Sequence, residues 1–262
     1  MSTDSVVRSI EPKIFRSVRA AIVYDPSDIK RNELFSAEKL YTPINVKLIP
    51  FEVLSGLFGD DFDVVGVLGQ SAFDGSKIYL PKFGCLKIGF YPTVIRAEFS
   101  RGSLRDLTAA IACLGSRSLV ESLRSTIYHF YESLTLPSLL NIDLADVDSI
   151  ARGSGISFNV AGDSSLDVIN HLPPECYFAR SALLHFTCVR DVTLEEVYRI
   201  SKTISTRRTT GPFISDAPAD QIKMYKRIRL KMGLRVSQNW NELGSRPRIS
   251  LTGILFGMKF HP

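Results

Sequence analysis

The sequence predicts an α/β first half and an α+β second half, joined by one long helix. Three observations carry this expectation. Short apolar runs rich in β-branched residues recur up to residue 91, spaced widely enough for crossover connections. A single unbroken helical stripe then runs to Pro137. Beyond it, alternating strand patterns and short capped helices take over. The expected division is 1–138, ending in the long helix, and 139–262.

The elements follow in order. "VRAAIVYD" (18–25) reads as a buried strand, closed by Asp-Pro. "INVKLIPF" (44–51), "FDVVGVLG" (62–69) and "GCLKIGFY" (84–91) read as three more. "RGSLRDLTAAIACLG" (101–115) carries a helical pattern. In the long helix, Leu119, Leu123, Ile127, Phe130 and Leu134 form the apolar stripe, with Glu121, Arg124 and Glu132 off it. Pro137 ends it. "GISFNVAG" (155–162) is a strand, "SSLDVINHL" a short helix and "SALLHFTCV" (181–189) a strand. Thr193 with Glu196 makes a capping box for a helix whose buried stripe is Leu194, Val197, Ile200 and Ile204. "IRLKMGLRVS" (228–237) and "RISLTGILFG" (248–257) close the chain as a hairpin.

Bulk properties narrow the function classes. The 262 residues are 45% hydrophobic and 23% charged, which excludes a disordered chain and supports a sizeable core. A net charge of +5 permits contact with nucleic acid, anionic lipid or an acidic protein. Cys85, Cys113, Cys176 and Cys188 are scattered, as are His129, His171, His185 and His261. No metal-ligand spacing results, so no metal site is expected and the thiols read as reduced. No secretory signal pattern opens the chain and no apolar run reaches membrane-spanning length, so the expectation is a soluble, cytoplasmic protein.

The most specific feature is "LLNIDLADV", directly after the long helix. Asn141, Asp143 and Asp146 stand in an Asn-x-Asp-x-x-Asp pattern. Locally, Asp143 suits the N-cap of a following helix with Asp146 in its first turn. Asp148 reads as a solvated helical residue.

With "GISFNVAGDSS", "ALLHFTCVRDVTLEEV" and "RLKMGLRVSQNWNELGSRPRISLTGILFG" in the same order, this loop resembles the C-terminal half of the FtsZ/tubulin superfamily over roughly half the chain. The resemblance implies a tubulin/FtsZ-like fold: a reduced Rossmann-like N-terminal lobe, a central helix and an α+β C-terminal lobe. It also implies a cytoskeletal or cell-division role. In that family the acidic loop reaches onto GTP held by the next subunit, so Asn141, Asp143 and Asp146 would act on a neighbour's nucleotide.

The first half departs from the family. After the first strand stands "YDPSDIKRN", with no glycine to let backbone N–H groups approach a phosphate and with acids that repel one. After the third stands "QSAFDGSK", where only Gly69, Ser71, Gly75 and Ser76 remain of a phosphate loop, with Lys77 as a charge. This implies a shortened lobe that has lost GTP, no cofactor, and action through self-assembly or docking on an intact FtsZ/tubulin-like partner at the division site. The alternative is a divergent GTPase using GTP and Mg2+ completed between subunits. A different class rests on the basic stretch 206–231, where Arg207, Arg208, Lys223, Lys226 and Arg227, with Arg229, Lys231 and Tyr225, would contact a membrane or, less well, a nucleic acid. Trp240, the sole tryptophan, reads as an anchor in the hairpin turn.

Overall fold

The computed structural model describes residues 18–24, 46–50, 62–68, 86–91, 107–113, 119–135, 138–151, 153–177, 179–189, 191–206, 228–236 and 247–257. Its strands are β1 (Ala20–Tyr24), β2 (Val46–Pro50), β3 (Val64–Leu68), β4 (Leu86–Tyr91) and β5 (Ala109–Cys113), then β6 (Gly153–Gly162), β7 (Ser181–Cys188), β8 (Arg229–Val236) and β9 (Ile249–Phe256). The helices among the described residues are α1 (Leu119–Thr135), α2 (Leu144–Ile150), α3 (Ser165–Asn170) and α4 (Leu194–Thr206), with a 3-10 turn at Pro174–Tyr177.

The strands form one sheet in the order β2-β1-β3-β4-β5-β6-β9-β7-β8. Every pairing from β2 through β6 is parallel. β9 lies antiparallel between β6 and β7, and β8 adds parallel to β7. β1, β3 and β5 are buried at every position, as strands covered on both faces must be. The strand order reverses between β1 and β3, which brings their carboxyl ends side by side. In open α/β sheets that switch point is where ligands bind. The two segments leaving it, after Tyr24 and after Leu68, are those that would have to serve as phosphate loops.

Three expectations are corrected. Within the helical pattern at 101–115, the described residues Ala109–Cys113 are instead a strand, set between β4 and β6. Alanine favours helix in isolation, but a short apolar run of three alanines, Ile111 and Cys113 also fills a central strand, and tertiary context overrides propensity. The closing hairpin is absent, because β8 and β9 do not pair. β9 is buried almost throughout and takes an interior place, whereas β8 is only partly buried and takes the flank. Leu194 leaves the predicted stripe and is 64% exposed, while Val197, Ile200 and Ile204 are buried. The capping box does form, with Thr193 N donating to Glu196 Oε2 at 3.0 Å and Glu196 N to Thr193 Oγ1 at 3.2 Å.

Burial divides into two clusters. One joins β1, β3, β4 and β5 to α1 and α2 through residues such as Ile22, Phe90, Phe130 and Tyr131. The other lies on the opposite face of the second half, where β6, β7 and β9 meet α3 and α4 through Phe158, Val168, Phe186 and Ile200. α1 is the spine of the first cluster. Tyr131 Oη donates to the Ala21 carbonyl at 2.9 Å, and Phe130 meets Phe90 edge-on at 5.7 Å. A Cβ on Gly66 would come within 2.5 Å of Tyr131 Oη, so β3 carries a glycine where the tyrosine crosses it.

Candidate functional site

α1 ends at Thr135, and the chain turns into the acidic loop. Asn141 Oδ1 accepts from Ser138 N at 2.9 Å and closes that turn. Asp143 is the N-cap of α2: its Oδ1 accepts from Asp146 N at 2.7 Å, and Asp146 Oδ2 accepts from Asp143 N at 3.5 Å. The carboxylates thus form a reciprocal capping box at a helix N-terminus, where negative charge is favoured. Asn141 and Asp143 are exposed, and Asp148 points outward as well.

β8 holds this loop in place. Leu139 N and Leu140 N donate to the Leu234 carbonyl at 2.8 and 3.4 Å, and Leu234 N returns a bond to Leu140 O at 3.0 Å. Side chains alternate along a strand, so Lys231, Gly233 and Arg235 share one face. Each makes a different tie. Lys231 Nζ pairs with Asp146 Oδ1. The hydrogen bond to Asp146 and that carboxylate's charge raise the Lys231 pKa, desolvation opposes, and Asp143 adds a smaller upward pull. Gly233 leaves room for Ile142, whose Cδ1 would lie 3.0 Å from a Cβ there, and for His185 at 3.1 Å. Arg235 forms an ion pair with Glu132 Oε1 of α1.

The loop is therefore pinned by backbone bonds, a buried isoleucine and an ion pair, with its polar groups outward. Asp143 and Asp146 meet in the capping box, while Asn141, on the same loop, turns its side chain to Ser138. Lys231 belongs with them, rather than with a free basic surface. Gly69, Ser71, Gly75, Ser76 and Lys77 lie outside the described residues. So do Arg207, Arg208, Lys223, Tyr225, Lys226, Arg227 and Trp240.

Sequence reasoning missed a second group. The scattered histidines His129 and His185 meet, with ring centroids 5.8 Å apart, and His129 Nδ1 lies 3.2 Å from Glu132 Oε2. Glu132 is buried rather than outward, at 2% exposure. Burial first, then Arg235, lowers the His129 pKa to about 4, and burial first, then His129, lowers that of His185 to about 3. Both imidazoles are thus neutral at pH 7. The available signals were the i,i+3 spacing of His129 and Glu132 on one helix and a glycine inside β8, which marks a close approach.

No family model matches the chain. Over 84 residues it is 34% identical to the cell division protein FtsZ 2 of Pyrococcus furiosus. That match covers 28% of this chain and 21% of the relative, so it spans about a fifth of the relative's length. Among solved structures, an FtsZ mutant from M. jannaschii superposes with a TM-score of 0.60 at 14% identity, covering 92% of each chain. An empty FtsZ dimer from M. jannaschii gives 0.59 at 14% identity, covering 92% of this chain and 89% of that one. GDP-form protofilaments of TubZ from Bacillus thuringiensis serovar israelensis give 0.52 at 9% identity, covering 93% and 84%. With its parallel first half, spine helix and mixed second half, in which β9 runs antiparallel between β6 and β7, this chain is FtsZ/tubulin-like in its fold.

Proposed function

We propose that this protein is a cytoskeletal or cell-division component that assembles with itself or with a nucleotide-loaded FtsZ-like partner and no longer binds GTP itself. The acidic loop carries the reading. Asn141 and Asp143 are exposed on a loop fixed to β8, and the flanking Leu139 and Leu140 are 69% and 40% exposed, a mixed surface suited to a protein neighbour. In that role Asp143 and Asp146 would orient water or a cation at the neighbour's phosphates, a task for which fixed carboxylates are suited. Two of the solved neighbours are TubZ protofilaments, which supports an assembling role. The reading places the protein in the cytoplasm, at the division site.

Loss of GTP rests on composition. The segment after β1 has no glycine before residue 56, and that after β3 has only Gly69 and Gly75 before Gly84. Calorimetric titration with GTP and GDP tests this, and the expected result is no micromolar binding. Micromolar binding would favour the second reading, a divergent GTPase. For that reading the specific support is the β1/β3 switch point, with Gly69, Ser71, Gly75, Ser76 and Lys77 as the residues that would hold the phosphates.

A further inference from the structure

We propose that His129, Glu132 and His185 form a binding site for a divalent cation of the zinc type, placed where α1 meets β7 beneath the acidic loop. The three side chains each present one ligand atom, and these atoms all lie within 4.8 Å of one another. Two imidazoles and a carboxylate match Zn2+ rather than Mg2+ or Ca2+, which take oxygen donors. Zinc bonds of about 2.0–2.2 Å put ligand atoms roughly 3.4 Å apart, so the longest separation closes by at most about 1.4 Å, within reach of side-chain rotation.

His185 supplies the independent observation. It is buried at 3% exposure, and neither ring nitrogen has a hydrogen-bond partner among the described residues. The sheet explains why. Its cross-strand neighbour in β9 is Thr252, which donates instead to Asn159 Oδ1 at 2.6 Å. Its neighbour in β8 is Gly233, which has no side chain. Thr187 Oγ1, two residues along β7 on the same face, is another buried polar atom without a partner among the described residues. Orphaned buried groups of this kind are costly unless an ion or water satisfies them.

The surroundings fit a ligand set. Arg235 holds Glu132 Oε1 and leaves Oε2 facing His129, so the arginine orients the carboxylate as outer partners of metal ligands do. A cation would replace the proton shared between His129 Nδ1 and Glu132 Oε2 and take His185 as its third protein ligand. It would cross-link α1 to β7 directly beside Ile142, the buried anchor of the acidic loop.

The test titrates Zn2+ alone into the chelator-treated 262-residue chain by calorimetry, with thermal melting alongside. One Zn2+ per chain and a raised melting temperature are expected. His185→Phe fills the site with an apolar ring and should keep the fold, yet weaken binding at least about tenfold. His171→Ala, at an exposed histidine elsewhere, should leave binding unchanged. Absence of 1:1 binding in the wild-type chain would overturn the proposal, as would binding retained in His185→Phe. Co2+ substitution adds a spectroscopic arm: thiolate charge-transfer bands would assign the metal to cysteines and overturn it too.

Discussion

Two seams run side by side along α1, and they are built differently. Toward β1, β3 and β4 the contact is largely apolar and aromatic, with Ile127, Phe130, Tyr131 and Leu134 buried and Tyr131 donating to the β1 backbone. Toward β6, β7 and β8 the contact is polar: Thr126 to Ser157 at 2.8 Å, Glu132 to Arg235, and His129 against His185. Apolar packing stabilises without strong orientation, whereas buried polar pairs cost much to desolvate and stand only in one arrangement. The apolar seam anchors the helix. The polar seam sets how the second half, with its acidic loop, sits on it.

The largest loss is expected at the apolar seam. Phe130→Ala should cost about 3–5 kcal/mol, read as a lowered urea midpoint with little change in slope. At the polar seam, Glu132→Gln leaves Arg235 facing a neutral amide. It should cost about 3 kcal/mol at most, less for Arg235's 33% exposure. The double change Glu132→Leu with Arg235→Met should recover most of that loss. If the single change cost nothing, the polar seam would carry no specificity.

Acid sharpens the contrast. Both histidine pKa values are lower folded than the ordinary 6.5, so the unfolded chain binds more protons below that pH. Stability contributed by the neutral rings is full above pH 6.5 and falls as pH drops toward about 4 and about 3. In chelator-treated protein the loss at pH 5.5 should be about 1.4 kcal/mol per histidine. His185→Phe should remove one such contribution, measured by denaturant unfolding across pH. Smaller still, Asp143→Ala should cost about 1 kcal/mol through the lost N-cap, while Asp143→Asn should cost almost nothing, since asparagine caps as well.

Legibility followed sequence distance. The parallel strands at Ala20–Tyr24 and Val64–Leu68 were visible as β-branched apolar runs, the Thr193 capping box as residues three apart, and Asp143 as an N-cap, though not its reciprocal bond with Asp146. The Ala109–Cys113 strand was not, because alanine carries helix propensity and only the sheet around it decides otherwise. The false hairpin arose because nearness in sequence says nothing about which gap a buried strand fills. The acids were legible, but Lys231, 85 residues beyond Asp146, was not. The histidine cluster draws on α1 and β7, and only folding brings those together.

Asp143→Asn separates the proposed action of the acidic loop on a neighbour's nucleotide from its structural role, because asparagine keeps the helix cap while removing the charge. The measurement is GTP turnover by a nucleotide-loaded FtsZ partner, with co-sedimentation, in the presence of the wild-type or substituted chain. The wild-type chain should co-sediment and alter turnover, whereas Asp143→Asn should still fold yet lose the effect on turnover. Turnover altered equally by both chains would contradict the proposed action and leave Asp143 as a helix cap alone.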